Sequence, residues 1–309
     1  MLTSAAFREL LTAGLNDIFD GTYKVATGYA DKIFKAMSSS MAYEEDWGYG
    51  PFGLAPEKGE VAQVQYQDPT AGNKVTYTHA LYALGYIVSR IMLEDDQYNQ
   101  INKLPAALAR SMRVTREVLA AAVFEDGFDT AWVDGQYLFS ASHPRLDGGT
   151  NDNLISVDLN ATGFAAAKLK ARRLKNESGF PMQVLNMYLI VPPELEDVAE
   201  RLIHSTLAPS WDINTPGAGA AGNNAYAPND INVIPKWAKK YITWPYLTDT
   251  DNWYLRLDTG EPDFKLYDRR KPTQEDEMDF DRSAMKYKSE MRMSVGCSDY
   301  RGGIGAGVT

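Results

Sequence analysis

The sequence predicts an α+β fold. Strand patterns lie towards both ends of the 309 residues and helical patterns lie between them, without the regular alternation of a doubly wound sheet. A helical stripe far longer than one globular helix needs runs through the middle, and a two-faced strand of ten or more residues lies near the end.

Residues 3–19 place Phe7, Leu10, Leu11, Leu15, Ile18 and Phe19 on one side of a helix that Thr3 or Ser4 caps and Gly21 ends. Such a stripe packs on its own core or on a neighbour. Residues 44–60, EEDWGYGPFGLAPEKGE, break periodicity with glycine and proline while carrying Trp47, Tyr49 and Phe52. Val64 and Tyr66 then alternate with glutamines, DPTAGN at 68–73 reads as a turn, and Val75, Tyr77, His79 and Leu81 alternate again. That is a hairpin, and a lone hairpin needs a surface to lie on. From 97 to 124, Ile101, Leu104, Leu108, Met112, Thr115, Leu119 and Ala122 recur at helical spacing over about 40 Å, with Pro105 marking a kink or a second start. A third helix falls near 161–176. MYLIV then reads as a buried strand, followed by a Pro-Pro joint and an amphipathic helix through Leu195, Val198, Leu202 and Ile203. INVIPKW and YITWPYL read as short edge strands, and NWYLRLD as another. From Met285, apolar and charged residues alternate; Met278 and Phe280 lie in the opposite phase, so a bulge or bend is expected between Asp281 and Ala284.

Composition narrows the function. With 31 basic and 41 acidic residues the net charge is −10, which argues against tight binding to polyphosphate. One cysteine, Cys297, excludes an internal disulfide, and three histidines without acidic partners at ligand spacing give no metal motif. No apolar run approaches the roughly 20 residues that cross a bilayer and no secretory leader is read, so a cytoplasmic folding site and no membrane partner are expected.

Gly217, Gly219 and Gly222 match the spacing of a dinucleotide cradle, but Pro216 precedes them and NNAYAPND follows. Without a strand entering and a helix leaving, the stretch reads as a surface loop. Ser140, Ser142 and His143 in FSASHP offer a nucleophile beside a base only if the fold assembles them. The acids Glu275, Asp276, Glu277, Asp279 and Asp281 lack the glycine and spacing of a calcium loop. Lys168, Lys170, Arg172, Arg173 and Lys175 form the densest basic run, suited to a solvated helix face, a subunit contact or phosphate.

Three stretches carry a resemblance: ARRLKNESGFPMQVLNMYLIVPPELEDVAERLIHS at 171–205, YLFSASHP at 137–144, and MSVGCSDYRGGIGA at 293–306. In their order, and over essentially the whole chain, they resemble the major capsid proteins of tailed bacteriophages, in particular the Mu-like branch with the Hong Kong 97 capsid fold. The resemblance implies an N-terminal arm at 1–45, an extended loop hairpin at 46–92, a peripheral domain at 93–181 whose spine helix spans 95–126, an axial domain at 182–262, and return strands at 263–309. It implies a structural protein without catalytic residues or cofactors, forming hexamers and pentamers of an icosahedral shell around double-stranded DNA, in the virion after assembly in a bacterial host.

On that resemblance Phe7, Leu11, Trp47, Tyr49, Phe52, Val64, Tyr66, Val75 and Tyr77 are expected at subunit interfaces. The 168–175 cluster would make weak, non-specific contact with packaged DNA, and Gly217, Gly219 and Gly222 would lie in an axial loop. The expected partners are further copies, a separate scaffolding protein, a portal and, left open, a decoration protein. A separate scaffold is expected because no acidic helical region precedes the arm. The Lys–Asn pair that some relatives crosslink has no match, although Lys58 and Lys74 lie in the loop. Two other readings stay open: the shell of a non-viral compartment with the same fold, and a soluble α+β hydrolase using Ser142 and His143.

Overall fold

The structure is a computed structural model of the chain that describes residues 4–25, 28–50, 52–61, 63–68, 70–89, 91–92, 95, 100–206, 231–261, 263–279, 281–282 and 284–307, with side chains from residue 13 onward. The elements are α1 (Ser4–Val25), α2 (Ala30–Ile33), β1 (Lys35–Ser38), β2 (Tyr43–Gly50), β3 (Thr70–Thr78), β4 (Ala80–Ser89), α3 (Lys103–Glu125), β5 (His143–Pro144), β6 (Thr150–Asn151), β7 (Leu154–Ile155), α4 (Ala161–Arg173), β8 (Met187–Val191), α5 (Glu196–His204), β9 (Ala238–Thr243), β10 (Trp253–Leu257), β11 (Phe264–Asp279), β12 (Ala284–Cys297) and β13 (Gly303–Ala306). They group into two compact units. One takes in residues 1–44, 77–120 and 265–296, the other 45–76, 121–264 and 297–309.

The first unit holds a four-stranded sheet in the order β1-β11-β12-β4. β1 runs parallel to β11, and β12 lies antiparallel to β4 from Ala284↔Ser89 to Met293↔Ala80. On β12, Tyr287, Ser289, Met291 and Met293 are buried at every second position, as the alternation requires. The phase change upstream, where a bulge or bend was expected between Asp281 and Ala284, coincides with a turn at Asp281 and Arg282 between β11 and its sheet neighbour β12.

Leu15 of α1 joins Val88, Ile101 and Tyr287 in a buried cluster, with Tyr86 stacked on Tyr287 at 4.9 Å. The helix therefore packs on its own unit. It also runs past Gly21 to Val25, because Phe19 is fully buried and stacks on Tyr23, over which Arg113 lies at 5.5 Å. Burial of such a ring outweighs the roughly 1 kcal/mol that a helical glycine costs. α3 begins later than the periodicity suggested: Ile101 and Asn102 form a turn, and Pro105 sits in the first helical turn, where its missing N–H costs nothing.

α3 also carries the unit's main polar tie. Arg116, buried, donates from Nη1 to both oxygens of Asp268 on β11 at 2.9 and 2.8 Å, and from Nη2 to Asp31 on α2 at 2.6 Å. Burial disfavours the charge, but Asp268 and Asp31 hold the guanidinium above the ordinary arginine pKa. At the next residue, Glu117 Oε2 accepts from the Ala30 N–H at 2.9 Å.

The second unit holds a five-stranded sheet in the order β7-β13-β10-β8-β9. β8 is buried along nearly its whole length, as its unbroken apolar run MYLIV predicts for a central strand. Phe164, Ala167 and Ala171 of α4 and Ala199, Leu202 and Ile203 of α5 share one core with it. Asn160 caps α4 by accepting from the Gly163 N–H at 2.6 Å. Phe124, Phe139, Tyr254 and Phe264 form an aromatic cluster, with Phe124 and Phe264 4.8 Å apart.

The expected hairpin is replaced by a different pairing. No strand covers 63–68; β3 starts at Thr70 and pairs with β2, within a stretch that had shown no period. Of the residues read as a turn, Thr70 to Asn73 are in β3, where Gly72 lies against Gly48 so closely that an added Cβ would stand 3.0 Å from backbone atoms. Of the two expected edge strands near 231–247, the second is β9, while Ile234–Lys236 is a short 3-10 turn.

Candidate interaction surface

More than half of the exposed large apolar side chains among the described residues fall between 37 and 92. Trp47, Tyr49 and Phe52 are each more than half exposed, Val64 is 57% exposed and Tyr66 93%. Aromatic side chains left in water in such density mark an interaction site. Trp47 is held from below: Lys74 lies 5.1 Å from its ring centre and pairs with Glu45 at 2.9 Å. Val64 and Tyr66 keep the alternation of a strand but join no ladder among the described residues.

Val75 and Tyr77, expected at an interface, lie inside the fold. Tyr77 is 3% exposed, packs on Tyr267 at 5.1 Å, and occupies the space beside Gly296 where a Cβ would meet its ring at 2.8 Å. Alternation along β3 turns these two inward. Phe7 and Leu11 fall within α1, but their side chains lie outside the described residues, as do Gly217, Gly219 and Gly222.

β4 adds a second apolar surface that sequence reading missed. It ends the four-stranded sheet, carries no charge in ALYALGYIVS, and exposes Leu81, Leu84 and Ile87. An uncharged ten-residue edge strand is a template for association. Its lack of any charge was the available signal.

His79, between β3 and β4, is buried. The Ser39 hydroxyl donates to Glu44 at 2.5 Å, so its oxygen accepts from His79 Nε2 at 3.1 Å, and Nδ1 accepts from the Ser294 hydroxyl at 2.9 Å. That is a neutral imidazole. Burial lowers its pKa, Glu44 opposes, and Arg292 and Arg269 lower it further.

The basic run does not act as one patch. Arg172 and Lys168 lie over the Trp237 ring at 4.7 and 6.0 Å. Lys170 turns elsewhere, donating to Asp152 and to the Leu154 carbonyl, both at 2.5 Å. It lines a groove of about 420 Å³ with Arg173 and Lys175. One helix thus sends its cations in two directions, as i, i+2 spacing dictates.

The hydrolase constellation is not assembled. Ser142 is exposed while His143 is fully buried, with Nδ1 on Asp134 at 2.6 Å, Nε2 on Asn153 at 3.1 Å, and its ring stacked on Tyr300 at 3.8 Å. Asn153 in turn donates to the carbonyls of Leu138, Tyr300 and Gly303. FSASHP is a pin for the loop. Among the described residues no His, Cys, Asp and Glu group is arranged to hold a metal, and no helix is long and apolar enough to cross a membrane.

A family model described as phage capsid protein matches residues 73–306. Solved structures similar over nearly the whole chain include the procapsid of bacteriophage JBD30, at 17% identity and a TM-score of 0.52 over 98% of this chain and 76% of that one. A virus-like particle from Pyrococcus furiosus is similar at 8% identity and 0.54, over 96% and 98%. The capsid of a native GTA particle is similar at 12% identity and 0.57, over 92% of each chain. No curated protein sequence matches.

Proposed function

The chain belongs to the phage capsid protein family and has the Hong Kong 97-like fold, and from that premise we propose that it builds hexamers and pentamers of an icosahedral head that encloses double-stranded DNA. It is a capsid shell protein of the virion. The observation that supports the finer reading is the run of solvent-facing aromatics at Trp47, Tyr49, Phe52 and Tyr66. Burying each on an adjacent copy contributes about 1.5–3 kcal/mol before ordering costs, and a shell repeats that contact at every subunit.

In this reading the segment 46–92 is the extended loop, α3 the spine, and 182–262 the axial domain with Gly217, Gly219 and Gly222 in a loop near the capsomer centre. α1 belongs to the arm, with Phe7 and Leu11 reaching a neighbour beyond the turns that pack on the chain's own core. The role is architectural, not enzymatic. A scaffolding protein directs assembly in the host cytoplasm, a portal occupies one vertex, and a decoration protein has the outer surface available. Arg172 and Lys168 make weak, salt-sensitive contact with the packaged duplex, consistent with a net charge of −10 that leaves DNA free to slide.

Particles purified from expressing cells and treated with nuclease test this. Closed shells of uniform size that protect double-stranded DNA are expected when the packaging partners are present. Shells that enclose a protein cargo and never DNA would instead support a compartment, and a persistent monomer would exclude both.

A further inference from the structure

β4 bonds to β12 along one side; along the other, its outward N–H and C=O groups have no partner among the described residues. Leu81, Ala83, Gly85 and Ile87 share the exposed face of the strand, while Tyr86 and Val88, on the opposite face, pack with Leu15 of α1. Across the ladder from those four residues β12 carries Arg292, Glu290, Lys288 and Lys286. The uncharged strip is thus bordered by charge on one side and open on the other. A strand added at the open edge extends the strip if its own residues on that face are apolar.

The chain contains such a stretch. Residues 63–67 read QVQYQ, without charge, and Val64 and Tyr66, two apart, share one face while the glutamines take the other. All five are exposed, and their backbone groups have no main-chain partner among the described residues. Gln67 Oε1 accepts from the Gly53 N–H at 2.8 Å, which ties the stretch to the segment carrying Phe52. The ribbon of β2 and β3 fits the edge less well, because Glu44, Glu45, Asp46 and Lys74 would set charge against it. Pairing β4 with β4 of another copy is isologous and stops at two chains, whereas two different patches make a heterologous contact, the kind that closes rings.

We propose that residues 63–67 of one copy add as an outer strand to the free edge of β4 in a second copy, with Val64 and Tyr66 on the face of Leu81 and Ile87. The contact rests on the shell reading and deepens it, joining copies through the main chain as well as through side chains.

Proline substitution in the full-length chain tests it. Gln65→Pro with Tyr66→Pro removes two successive N–H groups, one of which points at β4 in any register, and lowers the yield of assembled particles about tenfold or more. Gln65→Ala with Tyr66→Phe keeps both N–H groups and the ring and assembles within about twofold of wild type. Leu81→Lys with Ile87→Lys, which places charge on the edge strand, lowers the yield as the prolines do. Thermal unfolding of the unassembled variants stays that of wild type, since all four positions are exposed. Should a variant fail to fold, hydrogen exchange of the wild type gives the reading instead: alternate amides within 63–67 exchange at least about tenfold more slowly in particles than in unassembled protein. The inference is overturned if the proline variant assembles as wild type, if the Ala and Phe variant fails as badly as the proline one, or if those amides gain no protection in particles. Loss of assembly with the β4 lysines but not with the prolines also overturns it, assigning the edge another occupant. A wild type that never assembles overturns the shell reading beneath it, whereas an unaffected proline variant beside an assembling wild type overturns this contact alone.

Discussion

Arg116 shows how much one side chain can hold. Its guanidinium serves carboxylates on α2 and β11 at once. Arg116→Ala leaves the largely buried Asp268 without its cation, while Asp31 keeps Arg113, and chemical denaturation should show a loss of about 3 kcal/mol. Asp263 tests the opposite sign. Burial, opposed by the Thr259 hydroxyl at 2.7 Å and supported by Asp299, raises its carboxyl to about 7. The folded state therefore binds this proton more tightly than the unfolded chain does. The benefit is fully present below the ordinary carboxylate pKa of about 4 and is lost as pH rises to about 7. Asp263→Asn, which cannot ionise, should raise stability above pH 7 by an amount on the order of 2 kcal/mol and add nothing at pH 4, as read from melting temperature against pH. Gly305 gives a steric counterpart: a Cβ there would overlap the Phe139 ring, so Gly305→Ala should cost about 1–3 kcal/mol in the same measurement.

Elements differ in how far the sequence determines them. β8, α4, α5 and β12 follow their periodicity because their partners lie in the chain and bury the face the pattern defines. α1 overran Gly21 because Phe19 and Tyr23 gain more from packing than glycine loses, a balance that lies in the tertiary structure. β2 was invisible for the same reason: EEDWGYG has no period, and it becomes a strand only through β3 and the close Gly48–Gly72 approach. At the interaction surface the exposed aromatics were legible in composition. The inward turn of Val75 and Tyr77 was not, because alternation fixes two faces without saying which one is covered. The division of the basic run was also hidden, since it depends on where Trp237 and Asp152 lie. Lys74→Ala should leave melting within about 0.5 kcal/mol of wild type, because its ion pair with Glu45 is exposed, while freeing Trp47 to move; a change in Trp47 fluorescence would report that motion.

Each unit has ample core, yet more than half of the exposed large apolar side chains among the described residues fall in the stretch 37–92 of the sequence. Membership of a capsid family fits the proposal that another copy covers Trp47, Tyr49, Phe52 and Tyr66. Family and fold follow from the match over residues 73–306, while the finer shell arrangement depends on where those aromatics come to rest. Sedimentation of the full-length protein beside a Trp47→Ser, Tyr49→Ser, Phe52→Ser, Tyr66→Ser variant measures this most directly. The account predicts capsomers or shells for the wild type, and a slow monomer with unchanged thermal unfolding for the variant. A wild type that remains monomeric at high concentration, or a variant that assembles equally well, would contradict it.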